Sequence, residues 1–176
     1  MDRSRVAIRA WVELGIGRRE RIELSAALLY ALGFVFLFSV GGLTGLMQGA
    51  LAVNVQVHDT YFIVGHFHYV MFGGTGFAFF AALHYWFPKM FGRMVDERRA
   101  KAAWIPIFVG FNLLYFSMLV IGVQGMPRRY FDHLPQFHAG HLVATLGSFL
   151  TGGGLLLMFH NLGRALRRGA AAPANP

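Results

Sequence analysis

Val57-His58-Asp59-Thr60-Tyr61-Phe62-Ile63-Val64-Gly65-His66-Phe67-His68-Tyr69-Val70 carries three of the chain's eight histidines and passes from a polar start directly into a long apolar segment. The segment continues without a charged residue to Phe87 and is closed by Pro88. About 20 predominantly apolar residues cross a bilayer as a helix, so this stretch reads as the entry and first half of a membrane span. Imidazoles inside such a span are costly and mark functional candidates.

The rest of the chain supports that reading. Of 176 residues, 56% are hydrophobic and only 14% charged, where a soluble domain carries about a quarter charged residues. Three further apolar stretches, at about 26–48, 103–123 and 138–162, match the length of a span, while the second runs over about 61–87. The expected fold is an all-α integral membrane bundle of four transmembrane helices. Residues 1–25 read as a basic leader with the makings of an interfacial helix, 26–163 as the transmembrane part, and 164–176 as a basic and then disordered tail. Gly41, Gly45 and Gly49 fall at four-residue spacing on one helical face, and Gly73, Gly74 and Gly76 cluster in the second span; both patterns point to close helix packing. There is no cysteine, which excludes disulfides and thiolate metal sites.

Charge sets the orientation. The formal net charge is +8, and 14 of the 16 basic residues fall in the leader, in residues 88–102 and in the tail. With four spans these segments share one side, which the positive-inside rule makes cytoplasmic, so both termini are expected there. Blocks of this kind between apolar spans describe topology and give no nucleic-acid surface. The exceptions are Arg128 and Arg129, in the loop between the third and fourth spans. Placed on the outer side against the bias, they call for an anionic partner; Asp132 is one available to them.

His66 and His68 are two residues apart. At about 100° per residue on an α-helix, two steps turn about 200°, so the imidazoles leave on nearly opposite faces. They cannot share one metal ion, but each can ligate a separate centre, since neutral imidazole is a common metal and haem ligand. The competing reading is a hydrogen bond from each ring to a neighbouring helix. His58-Asp59, at the span's mouth, offers a nitrogen and a carboxylate to a hard divalent cation such as magnesium or manganese, with the remaining ligands from water or another chain. The competing role there is a helix N-cap by Asp59 or Thr60. His66 lies roughly 12 Å of helix beyond His58, so haems ligated at this depth and standing edge-on would carry their propionates toward the outer arginines, whose guanidinium groups suit bidentate carboxylate binding.

Five stretches, in order, resemble subunit I of the haem-copper oxidases, of the cytochrome c oxidase type. They are Ala31-Leu32-Gly33-Phe34-Val35-Phe36-Leu37-Phe38 with Gly41-Gly42-Leu43-Thr44-Gly45; His58-Asp59-Thr60-Tyr61; His66-Phe67-His68-Tyr69-Val70; Trp86-Phe87-Pro88; and Gly125-Met126-Pro127-Arg128-Arg129-Tyr130. The resemblance covers about residues 9 to 165. It implies that His66 is the axial ligand of a high-spin haem facing copper, that His68 ligates a low-spin haem, and that Phe67 lies on the interhaem electron path. It implies that His58 and Asp59 ligate a magnesium or manganese ion completed by a carboxylate of subunit II, and that Arg128 and Arg129 bind haem propionates. The His-Asp-Thr triplet favours cytochrome c over quinol as donor.

The resemblance is to the last four spans of a longer subunit. The copper ligands, the second low-spin haem ligand and the entries of the proton channels lie in spans this chain does not match. The expectation is therefore the C-terminal portion of a split or truncated subunit I, inactive alone. Assembled with the N-terminal part and subunits II and III in a bacterial inner (plasma) membrane, it would reduce oxygen to water with electrons from cytochrome c, coupled to proton translocation. Its cofactors are two haems, of a-type by resemblance, and magnesium or manganese; the copper comes from the missing part. A quinol oxidase or nitric oxide reductase fragment, and a non-catalytic remnant, are the alternatives. Asn54 departs from the family, which usually has an aspartate four residues before the His58 position.

Overall fold

The structure is a computed structural model that describes residues 24–173; the leader expected at 1–25 falls almost entirely outside them. All described regular elements are helical. Helix α1 spans Ala26–Gly49 and is capped by Ser25, whose hydroxyl accepts the Leu28 N–H at 3.2 Å. The extended residue Ala50 separates it from the short α2, Leu51–Val57, which lies between the first two expected spans. Thr60 then caps α3, Tyr61–His68, by accepting the Phe62 N–H at 3.2 Å. The chain continues without a break as a π-helical segment, Tyr69–Gly76, and as α4, Phe77–Phe91. Helix α5 is Glu97–Val123; a 3-10 turn, Pro135–Phe137, leads into α6, His138–Arg168. Four of these runs are long and apolar enough to cross a membrane: α1, the continuous Tyr61–Phe91, α5, and Pro135–Arg168. The expected all-α, four-span integral membrane architecture is the one observed.

The spans are longer at the basic end than their apolar patterns. Pro88 does not end the second span, because in a last turn the missing N–H removes only one ladder bond. The stop is Gly92, in the left-handed region at φ +64°, with its N–H on the Pro88 carbonyl at 2.8 Å. The third span starts at Glu97 and not near Ala103, since Asp96 caps it through the Arg99 N–H and Glu97 lies 3.5 Å from Lys101 one turn on. The fourth helix runs on to Arg168, and the residues that follow, expected as disordered, are tied down as far as Ala172. Met94 N–H donates to the Ala170 carbonyl at 2.8 Å, Ala172 N–H to the Gly92 carbonyl at 3.0 Å, and Arg93 to the Gly169 carbonyl at 3.0 Å.

The spans form an arc in chain order, with α1 against the π segment and α4, α3 against α5, and α5 along α6. The α5–α6 seam is made by small residues: a Cβ on Gly147 would lie 2.5 Å from the Leu114 nitrogen, and one on Gly110 would lie 2.6 Å from the Thr151 nitrogen. In lipid, apolar burial does not drive helices together, so such close backbone approach carries the association. Fully buried Tyr30, Leu37, Tyr69, Phe77 and Phe111 fill the arc's inside. Tyr69 donates its hydroxyl to Asn112 Oδ1 at 2.9 Å, and Asn112 in turn donates to the Phe108 carbonyl at 2.8 Å.

Two groupings at the ends bear on topology. At one end, the start of α1 meets the start of α5 through the Ala26 N–H and Glu97 Oε1, and residues 92–94 meet 169–172. At the other, Thr60 bridges Pro127. The basic segments of the described chain therefore share one end, and His58, Asp59 and Arg128 share the opposite one.

Replacing Gly147 by Leu should force the α5–α6 seam apart at a cost of about 1–3 kcal/mol, typical of overpacking. Gly152→Leu, where a Cβ meets nothing within 4 Å, should be tolerated. Thermal denaturation of the purified membrane complex carrying each variant checks this, and equal midpoints would refute the seam's role.

Candidate functional site

The site is built on α3. His66 and His68 both lie in its regular α-helical part, before the π segment begins at Tyr69, and they do leave on different sides. His66 turns toward α1, its Nδ1 lying 3.1 Å from the Gly41 carbonyl and 3.0 Å from Thr44 Oγ1. His68 turns toward α5, its ring stacked on Tyr115 with centroids 4.2 Å apart and planes 11° from parallel. Its Nδ1 lies 2.8 Å from the Val64 carbonyl in its own helix.

These contacts select a tautomer. A carbonyl oxygen only accepts, so Nδ1 carries the proton in both rings, and the lone pair is on Nε2. Neither Nε2 has a hydrogen-bond partner among the described residues. Metal-bound histidines are held in this manner, one nitrogen donating to a carbonyl and the other free for the metal. The competing reading, a hydrogen bond from each ring to a neighbouring helix, holds for His66 and not for His68, which bonds within its own helix; in both rings the nitrogen engaged leaves the other open to ligation.

Apart from Thr44, the α1 surface facing His66 is lined by glycine. A Cβ on Gly45 would lie 3.1 Å from His66 Cε1, and one on Gly41 would lie 2.9 Å from Val70 Cγ2. Gly49 meets nothing within 4 Å, so two of the three glycines of the stripe serve packing. One turn outward of Thr44, the buried Gln48 Nε2 has no partner among the described residues, a spare donor on the same helical face. Phe67, between the histidines, is exposed, its ring edge-on to His68.

At the helix mouth two loops lock together. Tyr61 N–H donates to the Met126 carbonyl and Arg128 N–H to the Asp59 carbonyl, both at 2.9 Å. The Arg128 side chain completes the clamp, donating through Nε to Asp59 Oδ1 at 2.8 Å and through its terminal nitrogen to the same oxygen. Arg128 is therefore paired with Asp59; Asp132 instead accepts the His133 N–H at 2.8 Å. Arg129 is exposed, and no described residue neutralises it. Asp59 and Arg129 are the non-glycine residues with positive φ among those described, at 56° and 68°. Backbone held in that region costs of order 1 kcal/mol and concentrates at functional sites. Thr60 takes the capping role, which leaves the Asp59 carboxylate available.

His58 Nε2 and Asp59 Oδ2 lie 3.2 Å apart, with side chains 68% and 56% exposed. A hard cation bound at about 2.0–2.1 Å has neighbouring ligands roughly 3 Å apart, so the pair fits one edge of its coordination shell. The exposure leaves the other positions open to water or another chain. Asn54 touches His58 through the backbone, its carbonyl accepting the His58 N–H at 2.7 Å.

Four residues of the site escape a reading of the sequence by residue type: Gly41, Thr44, Val64 and Tyr115. Thr44 and Gly41 lie in a stretch quoted for its resemblance, but their contact with His66 depends on how α1 and α3 cross. Tyr115 carries no local signal.

The geometry defines a class before a family: a four-span integral membrane protein that presents free imidazole nitrogens on both sides of one helix. Residues 7–150 match the family described as cytochrome C and quinol oxidase polypeptide I. The chain belongs to that family. It is 42% identical over 149 residues to cytochrome c oxidase polypeptide 1 of Halobacterium salinarum, covering 85% of this chain and 25% of the relative. It is 44% identical over 154 residues to cytochrome c oxidase subunit 1 of Cereibacter sphaeroides, covering 88% and 27%. It is also 40% identical over 144 residues to quinol oxidase subunit 1 of Bacillus subtilis, covering 81% and 22%. A solved chain of a heme-copper terminal oxidase dimer superposes with a TM-score of 0.76 at 22% identity, over 97% of this chain and 34% of that one. The chain thus has the haem-copper oxidase fold and spans about a quarter of the length of its curated relatives.

The hydrogen bond from Arg128 holds the Asp59 carboxyl below the usual carboxylate range; desolvation opposes it, and the charges of His58, Arg128 and Arg129 act in the lowering direction. A depressed value means that the clamp is intact above the ordinary aspartate range and is lost as pH falls through the lower, folded value. Infrared titration of the purified complex, differenced against Asp59→Asn, should show the Asp59 carboxyl protonating at lower pH than a free aspartate. Protonation at or above the free value would remove the clamp.

Proposed function

We propose that this chain is the haem-gripping C-terminal part of a cytochrome c oxidase subunit I. In that reading His66 ligates the iron of a high-spin haem and His68 that of a low-spin haem. The observation that carries it is the shared geometry, Nδ1 within hydrogen-bond distance of a carbonyl and Nε2 without a partner among the described residues, on two rings leaving opposite sides of one helix. The haems, with copper held by spans outside this chain, supply electron transfer and the reduction of oxygen to water.

The chain's own residues do four things in this scheme. Gly41 and Thr44 fix the His66 ring, and Gly45 gives it room. Val64 and Tyr115 fix His68. Phe67 fills the space between the two ligated sides. Arg129, and Arg128 from its clamp with Asp59, offer guanidinium groups to haem propionates, with the spare amide of Gln48 on the His66 side. His58 and Asp59 hold a magnesium or manganese ion whose remaining ligands come from subunit II and water.

The end that carries Arg128 and Asp59 is assigned to the outer side and the basic end to the cytoplasm of a bacterial plasma membrane, which places both termini inside. At most a third of each span's apolar window is buried within this chain. That supports a partner holding the earlier spans, with subunits II and III beyond it and proton translocation belonging to the assembly. Cytochrome c is the assigned donor, because Asp59 is present beside His58. The likeness to a quinol oxidase subunit makes quinol the second reading, and oxidase activity with each donor separates them.

In the assembled complex His66→Ala should abolish the high-spin haem signal and His68→Ala the low-spin one, read by optical and electron paramagnetic resonance spectra. Both haem spectra intact in the two variants would overturn the assignment.

A further inference from the structure

A second group of histidines lies apart from α3. His133 is in the loop after Arg128-Arg129, and His138 and His141 occupy the first turn of α6. His133 Nε2 and His138 Nδ1 are 3.4 Å apart, and their rings lie 17° from parallel. The His141 ring centroid is 4.2 Å from that of His133. The His141 Nε2 is buried, with no partner among the described residues. On the other side of His133, Asp132 Oδ1 lies 3.9 Å from Nδ1.

We propose that His133, His138 and His141 form a binding site for a divalent transition-metal ion that prefers imidazole, with zinc as the test case. Three arguments support it. Zinc–nitrogen bonds of about 2.0–2.1 Å at tetrahedral angles put ligand nitrogens about 3.4 Å apart, which is the separation between His133 and His138. A buried imidazole nitrogen without a partner is costly, and ligation would satisfy that of His141. A carboxylate behind the distal nitrogen is a recurrent support for a metal-bound histidine, and Asp132 stands there for His133. As the side chains stand, no group of three or more His, Cys, Asp or Glu among the described residues is placed to hold a metal ion. The preset element is the His133–His138 edge, and rotation of the His141 imidazole completes the site, with water in the fourth position. The alternative for the pair is a long N–H···N contact between neutral rings, which calls for neither His141 nor Asp132.

The site is structurally independent of the haem histidines. It abuts the mouth of their helix, because the His141 ring sits edge-on to Tyr61, the first residue of α3, at 5.3 Å. A cation there would tie the loop that carries the arginines to the start of the histidine helix.

The test uses the purified assembled complex, first washed with chelator and then titrated with zinc chloride by calorimetry. The expected result is one class of site weakened at least about tenfold in His133→Ala and in His138→Ala, and by a similar factor in Asp132→Asn. It should be unchanged in His160→Ala, on α6 toward the basic end. His138 is exposed, so its replacement keeps the fold, and unchanged haem spectra verify this. Zinc-edge X-ray absorption of the wild-type complex should show imidazole scattering that falls in His141→Ala. Zinc binding of equal number and affinity in the wild type and in His133→Ala and His138→Ala, or a zinc shell of oxygen ligands alone, would overturn the proposal.

Discussion

The His66 side of the site depends on one close approach, that of α1 to the histidine helix at Gly41 and Gly45. An imidazole in a membrane span needs its N–H satisfied, because neither water nor lipid will do it there. His66 meets that need from a backbone carbonyl, which only a helix stripped of side chains can bring near enough. The Gly41 carbonyl is within an α-helix and already accepts along the ladder, so the imidazole uses its second lone pair. Thr44 adds a hydroxyl at the same nitrogen. His68 solves the same problem within its own helix, through Val64, and relies on Tyr115 to hold the plane of its ring. Two mechanisms thus deliver one outcome, a fixed ring with its distal nitrogen presented outward.

The π-helical segment sets where that arrangement stops. In the α-helical part, the step from residue 66 to residue 68 places the two rings on opposite sides. A π turn is wider and changes the angle per residue, and it begins at Tyr69, immediately after the second histidine. Tyr69 and Phe77 are thereby turned into the arc, where Tyr69 reaches Asn112, while the histidines above keep their α-helical spacing. Gly73 sits in this widened stretch, and a Cβ there would lie 2.8 Å from the Leu37 Cβ. The helix contact in this widened stretch therefore requires a small residue.

Much of this is legible in the sequence, and the limits have physical causes. Span number follows from apolar runs, and the grouping of basic segments at one end follows from charge. The opposite directions of His66 and His68 follow from helical geometry alone. Helix ends at the basic surface do not, since charged turns such as Asp96–Lys101 are helical without being apolar. Residues 169–172 read as a disordered tail because backbone pairing with 92–94 leaves no mark on composition. The partner of Arg128 was equally hidden: Asp132 is near it in sequence, but Asp59, 69 residues away, is the one a loop-to-loop clamp brings to it. Contacts that depend on two helices crossing, such as Gly41–His66 and His68–Tyr115, lie beyond any local pattern.

That clamp also bears on how the two ends of the site cooperate. Asp59 has two carboxylate oxygens with different duties: Oδ1 takes both hydrogen bonds from Arg128, and Oδ2 lies beside His58. A cation held by His58 and Asp59 would therefore share a carboxylate with the arginine that we propose for the haem propionates. Asp59 holds both contacts from a backbone at positive φ, while its carbonyl accepts the Arg128 N–H. A cation drawing on Oδ2 would withdraw charge from Oδ1 and loosen the guanidinium, leaving it freer for another carboxylate. In the proposed function, the ion and the arginine would be coupled through this one side chain, and the coupling would need no movement of the helix that carries the histidines.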